Sequence, residues 1–337
     1  MGPDTMPAGS AGRDGGVVES EQADPIFIHG IMPRSGTNFL WDLLLLHPDC
    51  APARDPVRED LFLDHSDHLT AFVEQVRAAW DPRWGNFAPD IPERLHAALG
   101  EGLVSFLWAD QGRRLVTKSP SVRHLGRFFS FYPRARLLVL IRDGRSVVQS
   151  SMDTFGWDFD RACRAWAEAA DEVRRFQQAE TARSDRWRLV RYEELVDDTE
   201  GQLRPILDFL GLDPTRYDFE AARSLPVRGS SAFGRQGSGV HWEPVAKDAS
   251  FAPKERWRMW PAERLERFDW LAGDQLHSLG YGAPRPYGAV ARSVKHSLLD
   301  WRWSAVRAAR LIVYRSRVRV GTASRPLRRR LGLIRGT

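Results

Sequence analysis

Five consecutive residues near the start of the chain have the side chains and spacing of an anion-binding turn. They are Arg34, Ser35, Gly36, Thr37 and Asn38, between an apolar run that predicts a buried strand and a stretch that predicts a helix. The first N–H groups of a helix have no partner within it and lie at its positive dipole end, so a turn placed there favours an anion. The Arg adds a charged, forked donor, and the hydroxyls and the amide add neutral donors.

Polar residues also follow three other predicted strands. Lys118 follows one, Arg142 the next and Tyr192 the last. The carboxyl ends of parallel strands lie at one edge of the sheet, where such sheets bind ligands. These residues and Arg34 are therefore expected to meet around one anionic ligand. The alternative for Arg142 is an ion pair with Asp143 or Glu193.

Four apolar runs separated by helical stretches must position these residues. The runs are 26–31, 114–117, 135–141 and 187–191. Continuous apolar runs alternating with helices indicate a parallel sheet covered on both faces. The main helices are predicted at 37–47, 71–80, 93–110, 125–131, 146–152, 158–180, 199–210 and 254–279. The sequence thus predicts an α/β protein with three layers, α/β/α, and a mostly parallel central sheet.

The turn does not match the ATP-binding pattern Gly-x-x-x-x-Gly-Lys-Ser/Thr. Gly30 and Gly36 have five residues between them, and Thr37 follows directly with no Lys. The stretch from Pro33 to Thr37 instead resembles the 5′-phosphosulfate loop of the sulfotransferases, Pro-Lys/Arg-Ser-Gly-Thr. With His-Pro-Asp after the helix, it is most similar to the tyrosylprotein and carbohydrate branch. The resemblance implies a P-loop NTPase-like sulfotransferase fold and a 3′-phosphoadenosine 5′-phosphosulfate (PAPS) donor.

A second segment, from Leu137 to Ser151, resembles the 3′-phosphate motif of the same family. The resemblance implies that Arg142 and Ser150 hold the 3′-phosphate. Thr154 stands where the tyrosylprotein branch has a further basic residue. Either a later loop supplies that charge or fewer contacts hold the phosphate.

That later loop lies in residues 223–253, a Gly/Ser/Pro-rich stretch whose length is typical of functional or disordered segments. Its part from 235 to 242 is similar to the closing loop of the cytosolic sulfotransferases. The similarity implies phosphate contacts from Arg235 and Gly237, and the alternative is a flexible linker with an incidental Arg.

Two further matches assign roles at the other strand ends. Lys118 lies in a Lys-Ser-Pro stretch similar to one whose Lys contacts the bridging oxygen of the leaving group. Tyr192 begins Tyr-Glu-Glu-Leu, which resembles a family motif whose Tyr lies near the adenine. The resemblance implies no metal, because cationic side chains can neutralise the leaving phosphate.

An acceptor hydroxyl must lose its proton as it attacks, so a general base is expected. In the tyrosylprotein branch this is a Glu shortly after His-Pro-Asp, and the same offset here falls on Asp55. Glu59 lies four residues further and has the matching side chain. His65 is a third candidate because the ordinary pKa of His is near neutrality. Asp55 and Glu59 rank equally, ahead of His65.

The composition, 42% hydrophobic and 28% charged, is typical of a globular protein. Two cysteines make no disulfide framework, which favours a reducing compartment and a cytoplasmic location. Residues 1–24 are small and polar, without the apolar core of a secretory signal, and are expected to be a disordered tail. Residues 25–284 are expected to form the catalytic domain and residues 285–337 a basic helical extension.

The extension has 14 Lys/Arg and one acid from Arg285 onward. Apolar residues recur at helical spacing and would form a stripe along one side of a helix: Val294, Leu298, Trp301, Ala305, Ala308 and Ile312. A basic amphipathic helix with Trp favours contact of residues 292–319 with an anionic membrane surface, on the inner face of the membrane. Packing on the catalytic domain is the alternative, and nucleic acid is the least favoured partner.

The acceptor is not named by these residues. A cytosolic enzyme near a membrane would suit a hydroxyl of a glycan or glycolipid, in preference to an amine. Two other functions stay open: a non-catalytic nucleotide-binding or membrane-adaptor protein on the same fold, and a P-loop phosphotransferase.

Overall fold

A parallel β-sheet forms the centre of the computed structural model, which describes residues 24–84, 88–110, 112–226, 254, 256–282 and 294–305. Within these residues the sheet has five strands: β1 (Ile26–Gly30), β2 (Cys50–Pro52), β3 (Arg114–Ser119), β4 (Arg136–Ile141) and β5 (Trp187–Arg191). Their order is β2-β3-β1-β4-β5, and every pairing is parallel. The predicted α/β class and parallel sheet are confirmed.

The central strands β1 and β4 are buried on both faces because most of their residues are apolar, whichever face of the sheet they point to. In β4, Leu137 and Val139 pack into one core and Leu138 and Leu140 into the other. The same alternation places Phe27 of β1 in the first core. A strand with two buried faces needs helices above and below, which is why its sequence is a continuous apolar run.

Helices cover both faces of the sheet. They are α1 (Thr37–Leu44), α2 (Ser66–Ala79), α3 (Ile91–Leu107), α4 (Phe128–Phe131), α5 (Gly144–Phe155), α6 (Phe159–Ala179), α7 (Tyr192–Asp197), α8 (Thr199–Leu210), α9 (Phe219–Ser224) and α10 (Ala262–Ser278). Helices α1 and α8 pack on one face, and α4, α5, α6 and α10 pack on the other. The three-layer prediction is confirmed. None of the helices in the described ranges is long and apolar enough to cross a bilayer.

Two local predictions differ from the structure. Residues 50–52, which are not among the four predicted strands, form the edge strand β2 beside β3. The stretch 254–279 is not one helix, because Pro261 cannot continue a helix from the residues before it and instead precedes the first turn of α10. A short 3-10 turn, Arg256–Met259, comes before that break.

The strand order determines where the site forms. Strand β1 lies between β3 and β4, so the residues that follow these three strands meet at one edge. In sheets of this kind, ligands bind where the chain crosses to opposite sides of a central strand. Lys118, Arg34 and Arg142 follow or end these three strands.

Candidate active site

The phosphate loop, Met32 to Gly36, connects β1 to α1 in a backbone conformation that few residues adopt. Arg34 has φ +79° and Gly36 has φ +100°. A side chain other than glycine in this region is held at a cost of order 1–3 kcal/mol, and such strain concentrates at functional sites. Gly30 allows the loop to fold back, because a Cβ there would lie 2.3 Å from Ser35 Oγ. The loop is thus tightly turned over the end of β1.

The residues of this loop suit an anion. Ser35 is buried, and its Oγ has no hydrogen-bond partner in the part of the chain that the structure describes. A buried hydroxyl without a partner costs free energy unless a ligand or water satisfies it. Thr37 is buried in the first turn of α1, and Asn38 beside it is half-buried. An orphaned hydroxyl at a helix start fits a phosphate oxygen.

Arg34 contacts the second predicted phosphate site. Its Nε donates to Ser150 Oγ on α5 at 3.0 Å, and Arg142 Nη1 donates to the Arg34 carbonyl at 2.7 Å. Asp143, the neighbouring carboxylate, pairs with Arg145 instead, with Nη2–Oδ2 at 2.6 Å. The structure therefore brings Arg34, Arg142 and Ser150 together, as the sequence predicts.

Tyr192 packs directly on this cluster. The Arg142 guanidinium lies 4.4 Å from the centre of its ring, and a Cβ on Gly36 would lie 2.3 Å from a ring carbon. Burial raises the pKa of the Tyr192 hydroxyl, so the ring stays neutral. Gly36 is thus required twice, for its positive φ and for the approach of this ring.

Arg256, in the 3-10 turn before α10, is a cation of this site that the sequence motifs do not indicate. Burial, followed by the charges of Arg142 and Arg256, lowers the pKa of Arg34 to about 10. Burial and the charge of Arg142 lower the pKa of Arg256 in turn, while Asp153 on α5 opposes the shift. Three guanidinium groups that repel one another favour a ligand with several negative charges. Arg235 and Gly237 lie outside the described residues.

Lys118 lies beside this cluster at the end of β3. Its side chain is 5% exposed, and its Nζ lies 3.3 Å from Glu59 Oε1. The indole of Trp41 lies under the ammonium at 5.9 Å. Burial lowers the pKa of Lys118, although the Glu59 carboxylate acts in the opposite direction. A desolvated ammonium with one carboxylate partner is suited to stabilising charge that develops nearby.

The loop that presents Glu59 is fixed to the sheet by the next residue, Asp60. Thr117 Oγ1 donates to Asp60 Oδ2 at 2.8 Å, and Asp60 N donates to the Lys118 carbonyl at 3.1 Å. Burial raises the pKa of Asp60. These two bonds place Glu59 opposite Lys118.

The three candidate bases differ in their positions. Glu59 contacts Lys118. The Asp55 side chain is 89% exposed and lies 3.9 Å from Arg58. His65 is exposed and stacks on His68. The structure thus places Glu59 at the strand edge with the other site residues, whereas Asp55 and His65 face solvent.

A cavity of about 560 Å³ opens beside the phosphate loop. Its apolar wall includes Met32 and Pro33 of the loop, Leu61 after Glu59, and Pro120 after Lys118. Every one of these residues is within two positions of a candidate site residue. The cavity is therefore the candidate site for an acceptor.

The charged lining of this cavity is mostly acidic. Asp64, Glu168 and Glu172 line it together with the single cation Arg123 and with His124, whose pKa is lowered by burial and by Arg127. A larger cavity of about 750 Å³ lies at the amino ends of the strands, where Pro25 and Arg114 line it. None of the described candidate residues lines either cavity, but Met32 and Pro33 of the phosphate loop line the smaller one, which is therefore assigned to the site.

Comparison with known proteins links this geometry to one family. A model of the sulfotransferase family matches residues 25–216, more than half of the 337 residues. A protein-tyrosine sulfotransferase of Drosophila melanogaster is 28% identical over 196 residues, which are 55% of this chain and 37% of that protein. Protein-tyrosine sulfotransferase A of Caenorhabditis elegans is 26% identical over 201 residues, 56% of this chain and 50% of that protein. The chain thus spans about half or less of these relatives.

Solved structures also resemble the chain. The sulfotransferase domain of an olefin synthase from Synechococcus PCC 7002 has a TM-score of 0.48 and 21% identity, over 78% of this chain and 98% of that domain. The sulfotransferase domain of the curacin biosynthetic pathway has a TM-score of 0.44 and 19% identity, over 78% of this chain and 99% of that domain.

Proposed function

The chain belongs to the sulfotransferase family, and from this premise we propose that it is an enzyme that moves a sulfuryl group from PAPS to an acceptor hydroxyl. The observation that supports this most directly is the pair of Lys118 and Glu59. A buried ammonium and a carboxylate 3.3 Å apart lie at the same sheet edge as the phosphate loop. One can stabilise a leaving oxygen, and the other can accept a proton.

The cationic cluster fits a donor with phosphate at both the 5′ and 3′ positions. The phosphate loop, with Arg34 and the free hydroxyl of Ser35, would hold the 5′-phosphosulfate. Arg142 and Ser150 would hold the 3′-phosphate, and Tyr192 would lie near the adenine. When bound, PAPS supplies the sulfuryl group, which leaves from the 5′-phosphate.

Arg256 fits the basic role that Thr154 cannot fill. The carboxylate of Asp153, next to Thr154 on α5, acts on the pKa of Arg256, so the two lie within electrostatic range. We assign Arg256 to the 3′-phosphate together with Arg142. Arg235 and Gly237 stay predicted contacts of the closing loop.

Two residues would assist the transfer, each with a different role. Lys118 would donate to the bridging oxygen as negative charge grows there, an interaction that strengthens in the transition state. Glu59 would accept the proton of the acceptor hydroxyl, and its contact with Lys118 holds it at the sheet edge. Asp60 would position Glu59 through Thr117.

Nucleotide preference tests the donor assignment. We expect calorimetry to show tighter binding of adenosine 3′,5′-bisphosphate than of ATP, because ATP has no 3′-phosphate for Arg142, Ser150 and Arg256. Arg256→Ala should weaken the bisphosphate about 10- to 100-fold, the range expected for a charged hydrogen bond. The variant and the parent should bind adenosine 5′-monophosphate with equal affinity, because this nucleotide has no 3′-phosphate.

Arg258→Ala is the matched control, since Arg258 is exposed in the same turn. It should leave both nucleotides unaffected. A preference for ATP would contradict the sulfotransferase assignment and favour a phosphotransferase. Tight bisphosphate binding without transfer to any acceptor would instead favour a non-catalytic nucleotide-binding protein.

We propose a glycan or glycolipid hydroxyl as the acceptor, rather than an acidic peptide. Three carboxylates and one guanidinium line the cavity beside the phosphate loop, so an acidic acceptor would be repelled. A polyol offers hydroxyls without negative charge, and the apolar wall suits a ring face or a lipid. The protein-tyrosine sulfotransferases in the comparison make tyrosine-containing protein the competing acceptor.

Labelled sulfuryl donor distinguishes these acceptors. We expect label in neutral glycans or glycolipids and little in peptides whose Tyr is flanked by acidic residues. Glu168→Gln should raise labelling of the acidic peptides, because one repelling charge of the cavity is removed. Glu74→Gln, an exposed acid outside the cavity, should not change it. Preferential labelling of the acidic peptides by the parent enzyme would exclude the glycan proposal. The cytoplasmic location remains a prediction.

A further inference from the structure

Residues 294–305 form a helix that packs on the catalytic domain through its polar face. His296 is 1% exposed, and its ring stacks on Trp270 of α10 at 5.4 Å. Arg267 of α10 donates to the His296 carbonyl at 3.2 Å. Residues 294–305 therefore pack on the catalytic domain, which was the alternative to membrane contact. The side of the helix that packs is not the apolar stripe that the sequence indicates.

Asp300 is the main anchor of this helix. Its Oδ1 accepts from Arg164 of α6 at 2.5 Å and from Arg267 at 2.6 Å, and its Oδ2 accepts from Trp270 Nε1 at 2.9 Å. Partial burial alone would raise the pKa of Asp300, but these donors lower it. The Arg164 guanidinium also lies 4.7 Å from the ring of Trp303. The helix is thus fixed to two helices of the domain.

The apolar stripe faces outward. Val294 is 53%, Leu298 62% and Trp301 73% exposed. We call these three residues the apolar face. A surface helix ordinarily buries its apolar side against the protein and exposes its polar side, because that removes apolar area from water. Here the arrangement is reversed, so internal packing does not explain the apolar face.

The extension that carries the apolar face is cationic in sequence. Asp300 is the single acid among the residues from Arg285 onward, against 14 Lys/Arg, and its charge is balanced by Arg164 and Arg267. Arg302 is exposed beside Trp301. Exposed Leu and Trp side chains among cations match the boundary of an anionic lipid layer, where apolar groups enter and cations contact the headgroups.

We propose that the apolar face docks on an anionic lipid surface and holds the catalytic domain there. A second copy of the chain would bring two strongly cationic extensions together, which like-charge repulsion disfavours. Nucleic acid would attract the cations but would give Val294 and Leu298 no apolar contact. Because Asp300 fixes the helix to α6 and α10, docking would orient the domain on the surface instead of tethering it loosely.

Vesicle flotation with the full chain tests this proposal. We expect binding to phosphatidylcholine vesicles that contain phosphatidylserine, weaker binding at high salt, and none to phosphatidylcholine alone. Leu298→Gln together with Trp301→Gln should weaken binding by roughly tenfold or more, because apolar area no longer enters the lipid. Binding of adenosine 3′,5′-bisphosphate should be unchanged, which reports that the double variant is folded.

The chain offers a matched control. Phe72 and Trp84 are 53% and 71% exposed and lie far from the extension in sequence. Phe72→Gln together with Trp84→Gln should float like the parent. Equal flotation of the Leu298/Trp301 variant and the parent would overturn the proposal, as would failure of the parent to float. Binding of a DNA duplex by both proteins, without flotation, would assign the extension to nucleic acid.

Discussion

Replacing Glu59 with Gln is expected to reduce sulfuryl transfer by about 10²- to 10⁴-fold, the contribution typical of a general base. The Gln side chain has the same size and can still accept from Lys118 Nζ, which lies 3.3 Å from the carboxylate oxygen. It cannot take a proton from the acceptor. Transfer should be measured at saturating donor and acceptor, so that the loss is assigned to the chemical step.

Asp55→Asn is the control for this experiment. It removes the same charge from the same loop, but its side chain is 89% exposed and pairs with Arg58. We expect it to retain nearly full activity, and His65→Gln likewise. Full activity of Glu59→Gln with inactivity of Asp55→Asn would show that the loop rearranges when substrate binds and that the shorter carboxylate is the base.

Lys118→Met is expected to lower the rate of transfer by about 10²- to 10³-fold, as does removal of a single preorganised donor in other enzymes. Met fills the buried space that the Lys stem occupies at the end of β3, where the residue is 5% exposed. Because the interaction forms as charge develops on the leaving oxygen, kcat should fall much more than the affinity for adenosine 3′,5′-bisphosphate. Single-turnover transfer and calorimetry separate these two effects.

The dependence on pH checks the same residue. Burial lowers the pKa of Lys118, and only the protonated amine can offset negative charge. Activity should therefore be present below this lowered pKa and fall as pH rises through it. Lys118→Arg should move that fall to higher pH, because a guanidinium stays protonated. An unchanged alkaline limb in Lys118→Arg would assign the titration to another group.

Lys295→Met is the matched control for Lys118→Met. Lys295 is exposed on the helix formed by residues 294–305 and lies 3.9 Å from Glu266. Its replacement removes one cation from the protein without touching the sheet edge. A comparable loss of activity in both variants would indicate that net charge, and not the ammonium at β3, supports the reaction.

Much of the fold was predictable because the central strands are locally unambiguous. The apolar runs of β1 and β4 can be accommodated only between two layers, which predicts a parallel sheet with helices on both faces. Strand β2 was missed because its three residues, Cys50–Pro52, include a Pro and form a strand only through their pairing with β3. No local pattern indicates such a pairing.

The meeting of the candidate phosphate-binding residues at one edge was also predictable, with one exception. Arg34, Arg142 and Tyr192 each follow a strand, and parallel strands bring such positions to one edge. Arg256 follows no strand and matches no motif. Arg256 lies in the site because the turn that contains it packs against α5. There the charges of Asp153 on α5 and of Arg142, just before α5, act on its pKa. That approach is a property of the folded chain.

The choice of the candidate general base shows what residue spacing in the sequence cannot decide. Asp55 and Glu59 rank equally in the sequence, since Asp55 lies at the family's offset and Glu59 has the family's side chain. The two carboxylates differ in position because of Asp60. Asp60 accepts a hydrogen bond from Thr117, which fixes the loop to β3 and places Glu59 beside Lys118. A hydrogen bond between residues far apart in the chain decides which carboxylate faces the site.

Periodicity and turn chemistry are local, so the sequence alone predicts that Val294, Leu298 and Trp301 share one side of a helix and that the phosphate loop suits an anion. Which side of that helix meets the protein depends on contacts with residues far away in the chain. Asp300 pairs with Arg164 and Arg267 from two other helices, and this turns the apolar face to the outside. Local patterns define which residues lie together, whereas long-range contacts define what they face.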